Sequence, residues 1–145
     1  MIRIIAPGKI KEKYLEEAIQ DYLKRVNKYH RTEIIELKDD INILKEEAQI
    51  LRHINNKDYN ILMDINGDLV SSEDFAILTS QKLMEYGNIN IVIGGSNGVT
   101  DKVKQMVNKR LSFGRITFPH GLFRSILLEQ LYRGFKINNN ESYHK

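Results

Sequence analysis

The residues best suited to chemistry in this chain are two segments built around glycine and a few histidines and arginines in the C-terminal half. The first is the loop Gly94-Gly95-Ser96-Asn97-Gly98, which follows an apolar run. Glycine lacks the Cβ that would collide with a ligand, so backbone here could approach a nucleotide closely. The loop is not Gly-x-Gly-x-x-Gly. A dinucleotide site also wants an acid about 20 residues further on, where this chain has Phe118. No Lys-Ser or Lys-Thr follows the glycines, so the cation that reaches the outer phosphates of ATP is missing. A tight turn between a strand and a helix accounts for the same glycines, and taken alone the loop leaves both readings open.

The second glycine-bearing segment is a strand and its exit, Leu111-Ser112-Phe113-Gly114-Arg115-Ile116-Thr117-Phe118-Pro119-His120. Gly114 would weaken an ordinary strand. It fits a backbone that bends against a flat apolar ligand such as adenine, and it fits a bulged edge strand equally. The four histidines lack metal-ligand spacing, so no metal site is expected. His30 and His53 sit in polar helical surroundings and are expected at the surface. His120 and His144 flank the basic half and belong to the one residue type that ordinarily titrates near working pH. Arg133 stands four residues after Glu129, a pair that supports a helix. Arg124 rises from an apolar turn, either snorkelling at its edge or aimed at a phosphate.

Charge sharpens this picture without settling it. The net charge is +3, yet residues 102–128 contain no Asp or Glu while carrying Lys102, Lys104, Lys109, Arg110, Arg115 and Arg124. The rest of the chain is net acidic. This asymmetry suits a polyanionic partner and equally a solvated positive helix face. With 145 residues, 41% of them hydrophobic, the chain has enough apolar material for one core, and a single domain over 1–145 is expected. No apolar run approaches the ~20 residues of a membrane span. The start lacks the long apolar stretch of a secretory signal, which points to the cytoplasm. Zero cysteines rule out disulfides and thiolate catalysis.

The elements that must position these residues alternate. Residues 2–6 read as a buried strand stopped by Pro7-Gly8, and 11–27 as an amphipathic helix. A second strand at 33–37, a helix at 41–54 and a third strand at 59–65 follow, with Asn66-Gly67 as a turn. Ser71 or Ser72 caps a helix running to about Tyr86. Residues 89–93 form a nearly all-apolar strand suited to the centre of a parallel sheet. Thr100 caps a helix ending near Arg110, 111–118 is the fifth strand, and 122 to about 135 is a buried helix. The polar tail at 136–145 would fray. Such alternation implies an α/β fold, a parallel-type sheet with helices on both faces, whose ligands gather at the strand C-termini.

Four ordered blocks now stand out: Ile93-Gly94-Gly95-Ser96-Asn97-Gly98, Leu111-Ser112-Phe113 through Thr117-Phe118-Pro119-His120, Glu129-Gln130-Leu131-Tyr132-Arg133, and Tyr143-His144-Lys145. Together they resemble the RlmH (YbeA-like) family of SPOUT methyltransferases. Pro7-Gly8-Lys9 and Lys11-Glu12-Lys13-Tyr14 extend the resemblance over nearly the whole chain. It implies a SPOUT fold whose C-terminal segment forms a trefoil knot around the cofactor, a feature that pattern reasoning would never assume. It implies S-adenosylmethionine as cofactor, a homodimer, and methyl transfer to N3 of a pseudouridine in helix 69 of 23S rRNA in the assembled ribosome. By position, Met63, Gly94, Phe113, Gly114, Arg115, Ile116, Thr117 and Phe118 resemble the cofactor-binding set. The connection between the second and third strands is shorter than family members often carry.

Methyl transfer from a sulfonium is an in-line displacement that depends on alignment. The N3 imide must also lose its proton. On this reading His144 is base or orienter, Tyr143 a stacking or hydrogen-bonding partner and Arg133 an anion stabiliser, while His120, Arg124 and Lys145 hold RNA. The competing expectations are a non-catalytic α/β module that binds RNA or the ribosome, and a SPOUT methyltransferase acting on tRNA.

Overall fold

The computed structural model describes residues 1–95 and 97–145; Ser96 of the glycine loop lies outside the described residues. Strands and helices alternate: β1 (Ile2–Pro7), α1 (Lys13–Asn27), β2 (Thr32–Leu37), α2 (Ile43–His53), β3 (Tyr59–Leu69), α3 (Ser72–Tyr86), β4 (Ile89–Ile93), α4 (Asp101–Met106), β5 (Lys109–Ser112) and α5 (His120–Asn138). They build a five-stranded sheet in the order β2-β1-β4-β3-β5. All neighbours are parallel, with Ile4 beside Ile91 and Ile91 beside Ile61 at the centre. No helix among the described residues is long and apolar enough to cross a membrane.

The two faces follow from the period-2 alternation of strand side chains. Ile2, Ile4 and Ala6 of β1 join Ile61, Met63, Ile89 and Ile91 in a core covered by Ile19 and Val26 of α1, Phe75 of α3 and Leu127, Leu128 and Leu131 of α5. Ile5, Leu62 and Val92 point the other way, against Ile50 of α2 and Val103 of α4. β4 is buried along its whole length, as its apolar run requires. The α3 start carries the expected cap: Ser71 accepts from the Asp74 amide, and Asp74 accepts from Ser71 in return. Thr100 caps α4 by accepting from the Val103 amide.

Four boundaries differ from the sequence reading, each for a local reason. Asn66-Gly67 is not a turn that ends the third strand. Met63 and Asp68 both register with Leu111, so the intervening residues bulge out and the strand resumes to Leu69. Asp64 holds that bulge by accepting from the Asn66 amide at 3.0 Å. The helix capped by Thr100 stops at Met106 instead of near Arg110, because Lys109 and Arg110 are drawn into the sheet beside Ile61 and Leu62. The reciprocal bonds between Asn60 and Asn108, 2.7 and 2.8 Å long, anchor that junction. The fifth strand ends at Ser112, not Phe118. Its hydroxyl accepts from the Gly114 amide and donates to the Gly114 carbonyl, and Gly114 adopts φ +139°, a left-handed conformation that side chains disfavour. Finally, the tail does not fray. Glu141 accepts from Tyr29 at 2.9 Å and pairs with Lys136, and Tyr143 and His144 are tied to α5 and α3.

The bulge makes a test of the fold. A Cβ at Gly67 would lie 2.7 Å from the Arg110 carbonyl carbon and 2.9 Å from the Leu111 amide nitrogen, both rigid backbone atoms of β5. Gly67→Ala is therefore expected to lower stability by about 1–3 kcal/mol, read as a shift in the urea midpoint at unchanged slope.

Candidate functional site

Because all five strands run the same way, β3, β4 and β5 release their chains on one edge, and a cavity of about 500 Å³ opens there. That is within the range of small-molecule sites, and its position at strand C-termini is where open α/β sheets bind ligands. Met63, Gly94, Phe113, Gly114, Ile116, Thr117 and Phe118 all line it. An aromatic wall backs it: Phe113 meets Phe75 edge-on at 5.2 Å and Phe123 at 5.8 Å, and Phe118 lies 6.3 Å from Phe123. Ile116 lines the cavity yet is 73% exposed. Arg115 is the exception among the cofactor candidates. It is not part of the lining, and its guanidinium turns away to donate to the carbonyls of Ile65 and Gly67 in the β3 bulge. Asp64, Lys104 and Phe123 line the cavity without having been singled out from sequence. Asp64, directly after Met63 at a strand end, could have been found from that position alone.

The glycine loop is propped from behind by α2. Gly98 donates to the Gly95 carbonyl at 2.9 Å, Asn97 reaches the Ile41 carbonyl at 3.4 Å, and Thr100 donates to Glu47 at 2.6 Å. Between these contacts Glu46 is only 3% exposed. Burial, then the nearby Asp39 and Asp40, pushes its carboxyl above the usual carboxylate range, while the Gly95 amide partly offsets the shift.

The three catalytic candidates form a cluster of their own. Arg133 donates to Glu129 at 2.9 Å and to Nδ1 of His144 at 3.0 Å. Since arginine only donates, His144 Nδ1 accepts, and Nε2 then carries the hydrogen that Glu73 accepts at 2.6 Å. Tyr143 donates to Glu129 at 3.2 Å and lies 4.9 Å beneath the Arg133 guanidinium. Burial, followed by Glu129, pushes the Tyr143 hydroxyl up to about 12, so it serves as a donor and not as a phenolate. This cluster is separate from the cavity of its own chain. Phe123 lines the cavity in the first turn of α5, and Arg133 comes ten residues later, about 15 Å along the helix axis.

The basic run along the chain is largely neutralised in space. Lys109 pairs with Asp68 at 3.0 Å, Arg110 with Asp64 at 3.3 Å and Arg124 with Glu36 at 2.8 Å, so acids of β3 and β2 supply what the run itself lacks. Arg124 corrects its expected role. It is 2% exposed and donates to the Pro7 and Gly8 carbonyls at 2.8 and 2.7 Å, so it neither snorkels nor faces a phosphate. His120 lines the cavity mouth, and Lys145 remains exposed at the chain end. His30, expected at the surface, stacks on Phe135 with its Nε2 buried and unpaired, and burial lowers its pKa. A wider cleft of about 690 Å³ lies at the opposite edge of the sheet. Its central carboxylate, Asp58, is already taken by Asn55, Asn88, Asn90 and Arg3. The C-terminal edge is therefore the candidate site.

Residues 1–144 match the family described as predicted SPOUT methyltransferase. The chain is 44% identical, over 100% of both chains, to the ribosomal RNA large subunit methyltransferase H of Caldicellulosiruptor saccharolyticus. It is also 44% identical to the protein of that name from Enterococcus faecalis, over 99% of each. Among solved structures, a probable methylase family protein from Haemophilus influenzae shares the fold with a TM-score of 0.54 at 13% identity. That likeness spans 96% of this chain and 66% of the other.

Two outcomes are expected of this geometry. Arg124→Ala leaves two strand-end carbonyls without their donor and should cost about 3 kcal/mol in urea unfolding. Glu46 binds its proton more tightly folded than unfolded, so its contribution to stability falls as pH rises from the unfolded pKa through the raised folded one. Glu46→Gln should accordingly melt higher than the parent protein at neutral pH, with the difference shrinking as pH is lowered into the acid range; thermal melts across that range check the sign.

Proposed function

The chain belongs to the SPOUT methyltransferases, and we propose that it transfers a methyl group from S-adenosylmethionine to large-subunit ribosomal RNA. Within that reading the target is N3 of a pseudouridine in helix 69 of 23S rRNA, and the enzyme works in the cytoplasm as a homodimer on the assembled ribosome. The observation that carries it is the convergence of Met63, Gly94 and the bent segment from Phe113 to Phe118 on one cavity at the strand C-termini. The relatives' shared name, ribosomal RNA large subunit methyltransferase H, supports the RNA class.

The residues present fit an adenosyl ligand. Gly94 leaves its backbone unshielded by a side chain at the cavity, Gly114 adds no side chain to the wall, and Phe113, Ile116 and Phe118 give apolar cover for a flat base. Met63, at the floor, is buried at 9% exposure. When bound, the cofactor supplies an electrophilic methyl carbon on a sulfonium. The protein's contribution is to hold that carbon in line with the nucleophile and to keep water away. Arg115 serves from outside the lining, by clamping the β3 bulge against the cavity rim.

The proton and charge work falls to the tail cluster. Arg133, already charged and paired with Glu129, stabilises an imide anion, and His144 orients the substrate or accepts the departing proton on Nδ1 once Arg133 swings from that nitrogen to the anion. Tyr143 holds Arg133 in place from below. Since about 15 Å of α5 separates this cluster from its own cavity, it acts on the cavity of a second copy, which makes the homodimer a requirement of the chemistry. His120 and Lys145 position RNA. Arg124 is left out of that set, because its guanidinium is buried and its two terminal nitrogens bond Glu36, Pro7 and Gly8 inside the fold.

Titration calorimetry should find a site for S-adenosylmethionine and for S-adenosylhomocysteine. Radiolabelled methyl should enter intact ribosomes and not tRNA. A chain that binds neither ligand would overturn the methyltransferase reading in favour of a non-catalytic RNA-binding module. Removing residues 143–145 should cut turnover on ribosomes by roughly 100-fold or more while leaving cofactor affinity intact. Mixed dimers of a cavity variant, Gly94→Trp, with that truncation should regain partial activity, and a mixture as dead as either parent would show that each site is built within one chain.

A further inference from the structure

Glycine at 95 has no turn requirement that explains it: its φ is not among the positive values, which fall at Gly8, Gly87, Gly98 and Gly114. What excludes a side chain there is Glu46, since a Cβ on Gly95 would run into Glu46 Oε1, with the carboxyl carbon and Oε2 only 3.1 Å away. Gly95 thus has two neighbours. It lines the cavity, and its empty side-chain direction receives a buried carboxylate from α2. Glu46 itself is not in the cavity lining. It is 3% exposed, and its Oε1 makes no hydrogen bond among the described residues, although unpaired buried carboxylate oxygens cost free energy and are rare. A sequence with no other need would replace such a residue by an apolar one, as α2 does at Ile50 on the same core. The contacts on either side, Asn97 to the Ile41 carbonyl just before α2 and Thr100 to Glu47 within it, show that the start of α2 and its approach are the backstop of the loop.

We propose that Glu46 is a positioning residue for the adenosyl cavity: its carboxylate, filling the space a side chain at 95 would take, sets the backbone through Gly94 and Gly95 at the height a ligand needs. The proposal rests on the adenosyl-binding reading above and deepens it. Glu46 touches no reacting atom. It acts through Gly95, whose amide it draws towards α2, so that the Gly94 backbone turns its free groups to the cavity. Asp39 and Asp40, in the connection before α2, add to the effect of burial in raising the proton affinity of this carboxyl, and the Gly95 amide offsets part of it. The pair Glu46 and Gly95 is therefore one unit, and neither residue is replaceable alone.

The test uses the full chain and S-adenosylhomocysteine as probe. Glu46→Ala should weaken calorimetric affinity by about tenfold or more, because the loop loses its backstop. Glu46→Gln, which keeps the shape and an acceptor, should stay within about threefold of the parent. Gly95→Ala should weaken binding too, and the double variant Gly95→Ala with Glu46→Ala should bind no worse than the weaker single variant, since both remove the same unit. Hydrogen exchange supplies a readout without ligand: amides of Gly95, Asn97 and Gly98 should exchange faster in Glu46→Ala, while those of β1 and β3 stay as slow as in the parent, which also shows that the variant folds. Additive losses in the double variant, or Glu46→Ala with parental affinity and parental loop exchange, would overturn the proposal. A parent protein that fails to bind the probe would overturn the adenosyl reading instead, and the loop exchange would still decide whether Glu46 props Gly95.

Discussion

Parallel strands that end on one edge leave a row of backbone donors and acceptors without ladder partners, and such groups must be satisfied or left to solvent. In this protein side chains meet that demand strand by strand. Arg124 takes the carbonyls at the exit of β1, Arg115 those of the β3 bulge, and the Ser112 hydroxyl both polar groups of Gly114 beyond β5. Past β4, the Glu46 carboxyl packs against the side-chain direction of Gly95. What remains unshielded is the cavity, and its shape is the residue of how the rest of the edge was closed.

The same constraint explains why charge along the chain misleads. A run of six cations without an acid looks like a surface for a polyanion. Four of the six are instead occupied within the fold, three in ion pairs with Asp68, Asp64 and Glu36 and one on main-chain carbonyls. Lys102 and Lys104 are left, and Lys104 lies at the cavity. Recognition of RNA by so few free cations depends on shape and on a site assembled from more than one element, in keeping with the way folded RNA is read.

The tail shows how a polar terminus becomes ordered without an apolar anchor. Tyr143 and His144 share Glu129, Arg133 and Glu73 in a connected set in which every named polar group has a partner, and Tyr132 packs edge-on against Tyr143 at 4.9 Å. Such a network rigidifies only when it is fully satisfied. Its distance from its own cavity is set by the rise of one straight helix.

Sequence by itself determined the alternation of strands and helices, the all-apolar centre at β4, the cap at Thr100 and the choice of Ser71 or Ser72 for α3, and the blocks that resemble the RlmH family, because these depend on periodicity and on neighbours within a few residues. It also singled out Met63, Gly94 and six residues from 113 to 118, of which the fold brings all but Arg115 to one cavity. Only tertiary structure decided that Asn66-Gly67 is a bulge, that Arg124 is internal, that Glu46 stands behind Gly95, and that the tail is docked. Each of those depends on a partner far away in the chain, Arg110 for Gly67, Pro7 and Glu36 for Arg124, Gly95 for Glu46 and Glu73 for His144. No local pattern encodes such a partner, since the pairing exists only once the sheet has brought distant segments edge to edge.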